Sequence, residues 1–190
     1  HKIFTRDFWL LFIANFIVVA VYFLLMTTMV AFVLGAYDGV SSSEAGLAAS
    51  IFLVGSIVGR ILCGRYSDML GLHLETMIVL VVQLVCCVLY LVSDFSLGFL
   101  MVVRLIHGIS FGVANTTLPA IIAKGLPSDH LGEGTGYFML SNSLALGIGP
   151  MIGMFIAGGL NYHVVFVTCA VASAIAIVCT RLVTVPNDAG

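Results

Sequence analysis

Apolar residues along this chain gather into long, nearly unbroken runs. Six stand out, at about 8–35, 45–64, 76–93, 95–123, 131–158 and 162–183. Each is close to or above the ~20 residues that a helix needs to cross a bilayer's hydrocarbon core. Lipid offers the backbone no hydrogen-bond partner, so spanning segments are helices or the period-two strands of a closed barrel. No such alternation is present. Short turns separate the runs: Tyr37-Asp38-Gly39, Ser93-Asp94, Gly125-Leu126-Pro127-Ser128-Asp129 and Gly158-Gly159-Leu160-Asn161. Asp7 stands where a cap of the first helix is expected. The pattern predicts an all-α membrane protein, with residues 1–190 forming one bundle of six transmembrane helices.

Composition agrees. Hydrophobic residues make up 61% of the chain and charged residues 8%, with a mean hydropathy of +1.19. A soluble domain is nearer 45–50% apolar and about 25% charged, so the excess must face lipid. Intrinsic disorder and a disulfide-stapled secreted fold are excluded. The net charge of −2 argues against nucleic acid as a partner. Cys63, Cys86, Cys87, Cys169 and Cys179 lie in apolar stretches without a CxxC pair. They are expected to be reduced packing residues, and neither a metal nor a cofactor is expected. The first run is too long for a cleavable signal peptide and lacks a small-residue cleavage site.

Lys2 and Arg6 precede span one, Arg60 and Arg65 lie at the junction of spans two and three, Lys124 follows span four and Arg181 ends span six. The opposite side carries Asp38, Glu44 and Asp94 and no basic residue. By the positive-inside rule both termini are expected in the cytoplasm, in a multi-pass protein of the cell membrane, of the bacterial inner-membrane kind. The chain opens at His1 and stops just past span six. The expectation is either a trimmed start or half of a longer protein.

Arg104 is the one basic residue off this pattern. It lies about nine residues into span four, ~14 Å at helical rise, where a charge costs at least ~2.5–3.5 kcal/mol. It must face protein or a water-filled cavity. Helical steps from it pass Gly108, Gly112, Asn115 and Pro119, and His107 sits beside it. Two readings stay open for Arg104: a cavity-lining substrate or coupling site, or a structural side chain pinned to carbonyls of neighbouring helices. All nine Asp and Glu residues fall at helix ends or in loops, so none is expected inside a span. His107 is the intramembrane side chain with an ordinary pKa near neutrality, ~6.5; coupling and hydrogen-bonded packing are both open to it. Asn15, Gln83, Asn115, Thr116, Asn142 and Ser143 are neutral polar groups within spans, each able to act as interhelical glue. Asn15 and Asn142, far from the helix ends, are the best cavity candidates. Gly55/Gly59 and Gly149/Gly153 form GxxxG pairs that let helix backbones approach closely.

Three stretches together resemble the major facilitator superfamily, in its efflux branch. Gly64-Arg65-Tyr66-Ser67-Asp68-Met69-Leu70-Gly71 is similar to the family's motif between spans two and three, through Gly64, Asp68 and Gly71. Leu72-His73 stand where that motif has a basic pair. Leu100, Arg104, His107 and Gly108 match the family's span-four pattern, with His107 in place of glutamine. Gly136, Ala145, Gly149, Pro150, Gly153 and Met154 resemble the antiporter motif of span five, with Ala145 and Met154 at usual glycine positions. The resemblance implies the N-terminal half of a twelve-helix transporter built from two three-helix inverted repeats, with a C-terminal six-helix half to complete it. It also implies secondary transport by alternating access: export of a small organic solute such as a drug, sugar or metabolite in exchange for protons. On this resemblance Arg104, His107, Asn115, Asn15 and Asn142 are substrate or coupling candidates. Gly64, Asp68 and Gly71 form a conformational latch, and Gly136, Gly149, Pro150 and Gly153 serve helix packing.

Two other classes compete. Gly108-Ile109-Ser110-Phe111-Gly112 matches the G-x-S-x-G pattern of a nucleophilic serine, but that pattern works on a strained strand-to-helix turn, and here it lies inside an apolar helix. No enzyme activity is expected. A half-size or scaffold module acting as an oligomer is the more serious rival. A channel would need rings of repeated pore-lining groups, which a single asymmetric chain does not supply.

Overall fold

In the computed structural model the described residues are 3–159 and 161–184. Lys2, Leu160 and the tail at 186–190 lie outside them. Six long helices follow one another: α1 (Arg6–Ala36), α2 (Ser42–Leu70), α3 (Leu72–Tyr90), α4 (Leu97–Gly125), α5 (Leu131–Gly159) and α6 (Tyr162–Arg181). All six are long and apolar enough to cross a membrane. Short 3-10 turns at Ser93–Phe95 and Ser128–His130 lead into α4 and α5.

The helix ends differ from the expected spans, each for a local reason. Thr5, not Asp7, caps α1: its extended backbone lets its hydroxyl accept from the Phe8 amide at 3.2 Å. Asp7 falls in the first turn, where its charge suits the helix dipole, and accepts from the Thr184 hydroxyl at 2.7 Å. A capping box starts α2 before the apolar run begins, with Ser41 accepting from the Glu44 amide and Glu44 from the Ser41 amide. At the other end α2 continues through the stretch read as a loop and stops at Gly71, whose φ of +79° breaks the helix. Because α3 starts at once, at Leu72, Glu75 lies inside that helix. It is buried, at 6% exposure, with one carboxylate oxygen lacking a hydrogen bond. Glu75 keeps to the expected place at a helix end, in the first turn of α3, but because the helix takes in the turn before the apolar run at Thr76 it is buried there.

Packing follows a two-fold pattern. Helix α2 lies along α4, and α5 along α1; α3 packs on α4, and α6 on α1. Exchanging helices 1–3 with 4–6 turns each contact into another. Helices α1 and α4 run in opposite directions, so these are inverted three-helix repeats.

Glycine seams set both main contacts. A Cβ on Gly55 would strike the Leu105 carbonyl oxygen, and one on Gly59 the Ile109 oxygen. From the other side, Gly108 abuts the Phe52 carbonyl and Gly112 the Ser56 carbonyl. Gly108 and Gly112, the glycines of the stripe below Arg104, thus form the α2–α4 seam. In the matching pair, a Cβ on Gly149 would come within 2.9 Å of the Ala20 carbonyl, and one on Gly153 within 3.2 Å of the Leu24 carbonyl. Hydrogen bonds add to the packing: Thr76 donates to Thr117 at 2.7 Å, joining α3 to α4, and Gln83 to Ser173 at 2.9 Å, joining α3 to α6.

Candidate functional site at the α1–α4–α5 groove

The middle of three helices forms an open groove of about 290 Å³. Val19, Tyr22 and Phe23 come from α1, Phe111 and Asn115 from α4, and Asn142, Ser143 and Leu146 from α5. Its floor is aromatic: the Tyr22 and Phe111 rings stack at 4.8 Å and 22°, with Phe52 of α2 behind them at 5.3 Å from each. Among the described residues no Asp, Glu, Lys, Arg or His lines it. The site offers flat apolar surface and neutral hydrogen-bonding groups.

Two of the expected residues line this groove directly. Asn115 is partly exposed, and its amide makes no hydrogen bond among the described residues. Asn142 is held by its neighbour across the helix pair: Asn15 Nδ2 donates to Asn142 Oδ1 at 2.9 Å and to Ser141 Oγ at 2.6 Å. Asn15 itself is fully buried behind the groove wall, and its own Oδ1 has no partner. Ser141 was not singled out from the sequence. One serine in an apolar run carries no signal of its own until α1 is laid against α5.

Arg104 and His107 are placed elsewhere. Helix α4 begins at Leu97, so Arg104 lies about 10 Å in and about 10 Å short of mid-helix. Its side chain is fully buried against α2. Nη2 donates to the Ala49 carbonyl at 2.7 Å and Nε to the Ala48 carbonyl at 3.3 Å. Met26 Sδ accepts at 3.3 Å, and the guanidinium carbon lies 4.6 Å from the Phe52 ring centre. The Ala48 and Ala49 carbonyls are reachable because the glycine seam brings the two backbones together. Nη1 is left without a partner. His107 is equally enclosed: its Nδ1 shares a 2.9 Å hydrogen bond with the Tyr90 hydroxyl, and its ring meets Phe52 edge-on at 5.0 Å. Two readings stood open for each, and these contacts are those of a side chain bonded to neighbouring carbonyls at Arg104 and of a hydrogen-bonded packing residue at His107. The structure brings them together with each other and with α2 and α3, outside the groove, because Phe52 and Phe111 stand between.

The remaining motif residues are spread along the bundle. Asp68 and Gly64 are exposed on the last turns of α2, and Asp68 makes no hydrogen bond or ion pair among the described residues. It does not cap α3, whose N-cap is Gly71 without a side-chain bond. Gly149 and Gly153 pack on α1, whereas Gly136 has open space around it. Pro150 is accommodated within the continuous α5. The G-x-S-x-G pentapeptide is regular helix, where Ser110 donates to the His107 carbonyl at 2.7 Å. A larger cavity, about 510 Å³, opens at the end of the bundle where Asp7 meets Thr184, with His73 and Lys124 on its walls.

Comparison with known proteins places these features. The model of the Major Facilitator Superfamily matches residues 11–190. A glucose transporter, GlcP, of Staphylococcus epidermidis is 29% identical over 93 residues, which is 49% of this chain and 21% of that protein. The fold matches the crystal structure of a D-xylose–proton symporter with a TM-score of 0.82 at 16% identity, over 95% of this chain and 48% of the symporter. It matches a POT family transporter, solved with a thioalcohol-conjugated peptide, with a TM-score of 0.83 at 19% identity, over 93% of this chain and 38% of the other. The chain thus spans less than half the length of each.

Proposed function

Because the chain belongs to the Major Facilitator Superfamily, a family of membrane transporters, we propose that it forms one half of a secondary transporter for a small, uncharged, polar organic solute. The observation that carries this reading is the mid-depth groove of Tyr22, Phe111, Asn115 and Asn142, which pairs stacked aromatic rings with amides and has no charged wall. Few, well-placed polar groups on an otherwise apolar concave surface are what a small-molecule site requires. Midplane binding between helix repeats is the arrangement alternating access needs. A sugar is the first solute to test, since an uncharged ring with hydroxyls suits both surfaces and the relative in S. epidermidis is a glucose transporter.

On this reading a second six-helix bundle closes the groove. Apolar side chains exposed on α2 (Ile57, Ile61) and α5 (Met151, Phe155) supply surface for it. Asp68, exposed and without a partner among the described residues, serves as the latch toward that bundle on the cytoplasmic side. Arg104 and His107 act from behind the groove, fastening α4 to α2 and α3. Export in exchange for protons is supported by the Gly149-Pro150 and Gly153 pattern of α5, in a cell membrane with both termini in the cytoplasm.

The test is transport by the full-length protein in proteoliposomes under an imposed pH gradient, with a panel of neutral, anionic and cationic solutes. The expected result is gradient-driven movement of neutral solutes, with KM raised at least tenfold by Asn115→Ala. Movement of charged solutes alone, with Asn115→Ala silent, would overturn it.

A further inference from the structure

The polar groups at the groove are not equivalent, and one buried residue sets the difference. Asn142 carries a carbonyl oxygen and an NH₂ on a side chain whose two ends are nearly the same shape. Free to turn, it would offer either to a solute. It is not free: Asn15 Nδ2 donates to its Oδ1 at 2.9 Å from the neighbouring helix. Asn15 is in turn fixed by full burial and by its 2.6 Å bond to Ser141, which is anchored on the Phe138 carbonyl at 2.7 Å. Among the described residues the Asn142 NH₂ has only the Met139 sulfur, at 3.2 Å, as an acceptor, so a second N–H is left unused on a residue that lines the groove. Holding this arrangement has a cost, since Asn15 Oδ1 is buried with no hydrogen bond. Orphaned buried polar atoms are uncommon in native proteins and call for a reason.

We propose that Asn15 is a positioning residue that locks Asn142 as a hydrogen-bond donor, so that the groove selects solutes presenting a hydroxyl or carbonyl oxygen at that point. This rests on the reading of the groove as the solute site. It adds which atom of Asn142 meets the solute and which residue decides it. Asn115 has no such partner and remains able to donate or accept, so discrimination lies at Asn142.

The test is a double-mutant cycle on the full-length transporter, reading KM and kcat for an accepted neutral solute and for its analogue with the recognised oxygen removed. Asn15→Leu keeps the branched heavy-atom shape, at a somewhat larger volume, and deletes both the donor and the orphaned oxygen. It is expected to raise KM for the oxygen-bearing solute about tenfold, leave kcat within about twofold, and erase discrimination against the analogue. Asn142→Ala should do the same, and the double variant should be no worse than Asn142→Ala alone, because Asn15 acts only through Asn142. Additive losses, or unchanged KM and discrimination in Asn15→Leu while Asn115→Ala still raises KM, would overturn the positioning role and leave the groove reading standing. Loss of KM effects at Asn115 and Asn142 alike would strike the groove reading itself. Should Asn15→Leu fail to insert, Asn15→Ala carries the same expectations.

Discussion

Arg104 Nη2 donates to the Ala49 carbonyl at 2.7 Å, a charge-assisted hydrogen bond from the side chain of one membrane helix to the backbone of another. It sits beside the seam where Gly108 and Gly112 allow α2 and α4 to touch backbone to backbone. Close approach exposes the carbonyls, and the guanidinium fork takes two of them. The charge tolerated in the bundle is thus used to hold a wall, and the groove in front of that wall stays neutral.

Replacing the fork should weaken the wall. Arg104→Lys keeps a charge but cannot span the Ala48 and Ala49 carbonyls, and losing one charge-assisted bond costs about 1.5–3 kcal/mol. Arg104→Ala should cost about 2–5 kcal/mol, the range for large-to-small core changes. Thermal unfolding in detergent measures both. A raised KM with unchanged stability would instead mean that the guanidinium touches the solute.

The glycines divide by their surroundings. Gly108→Ala or Gly112→Ala forces α2 and α4 apart and should destabilise by at least about 1–3 kcal/mol, as overpacking does. Gly64→Ala and Gly136→Ala meet nothing within 4 Å, and should leave stability unchanged or raise it by up to about 1 kcal/mol. Equal melting temperatures across all four variants would contradict the seam.

Asp68→Asn should leave the melting temperature unchanged, since the carboxylate has no partner among the described residues, and slow transport several-fold. Wild-type transport by this variant would remove Asp68 from the latch.

Tyr37, at the end of α1, donates its hydroxyl to the Ser93 carbonyl and so ties α1 to the α3–α4 turn. Burial raises its phenol above the ordinary value of 10.0. The folded state therefore holds this proton more tightly than the unfolded chain. The tie's contribution is complete below the ordinary value and is lost as pH climbs through the raised one. Tyr37→Phe should lower stability at neutral pH and flatten that alkaline dependence, as pH-resolved unfolding would show.

Six helices were legible because membrane spans announce themselves by length and apolarity; their inverted pairing followed only from the resemblance of three motifs to a known family. The helices' faces were not legible. Arg104 and Asn115 lie eleven positions apart, three turns along one side of α4, yet one meets α2 and the other the groove. A helix that is apolar all round does not reveal which side faces lipid, a neighbour or a cavity. Asn15 and Asn142 could be picked out as polar residues at depth, but their bond to each other depends on α1 lying against α5. The burial of Glu75 was not legible for a different reason: Gly71 ends α2 so abruptly that α3 starts a turn before its apolar run.

On the function proposed above, the solute meets this half of the transporter at the α1–α4–α5 groove. A direct measurement is solute protection of Asn115→Cys from a small thiol reagent, in full-length protein with its native cysteines, the five of this chain among them, replaced by serine and transport retained. A transported neutral solute is expected to slow labelling at position 115 with a half-maximal concentration near its KM. Labelling at an unchanged rate under saturating solute, while transport continues, would contradict it.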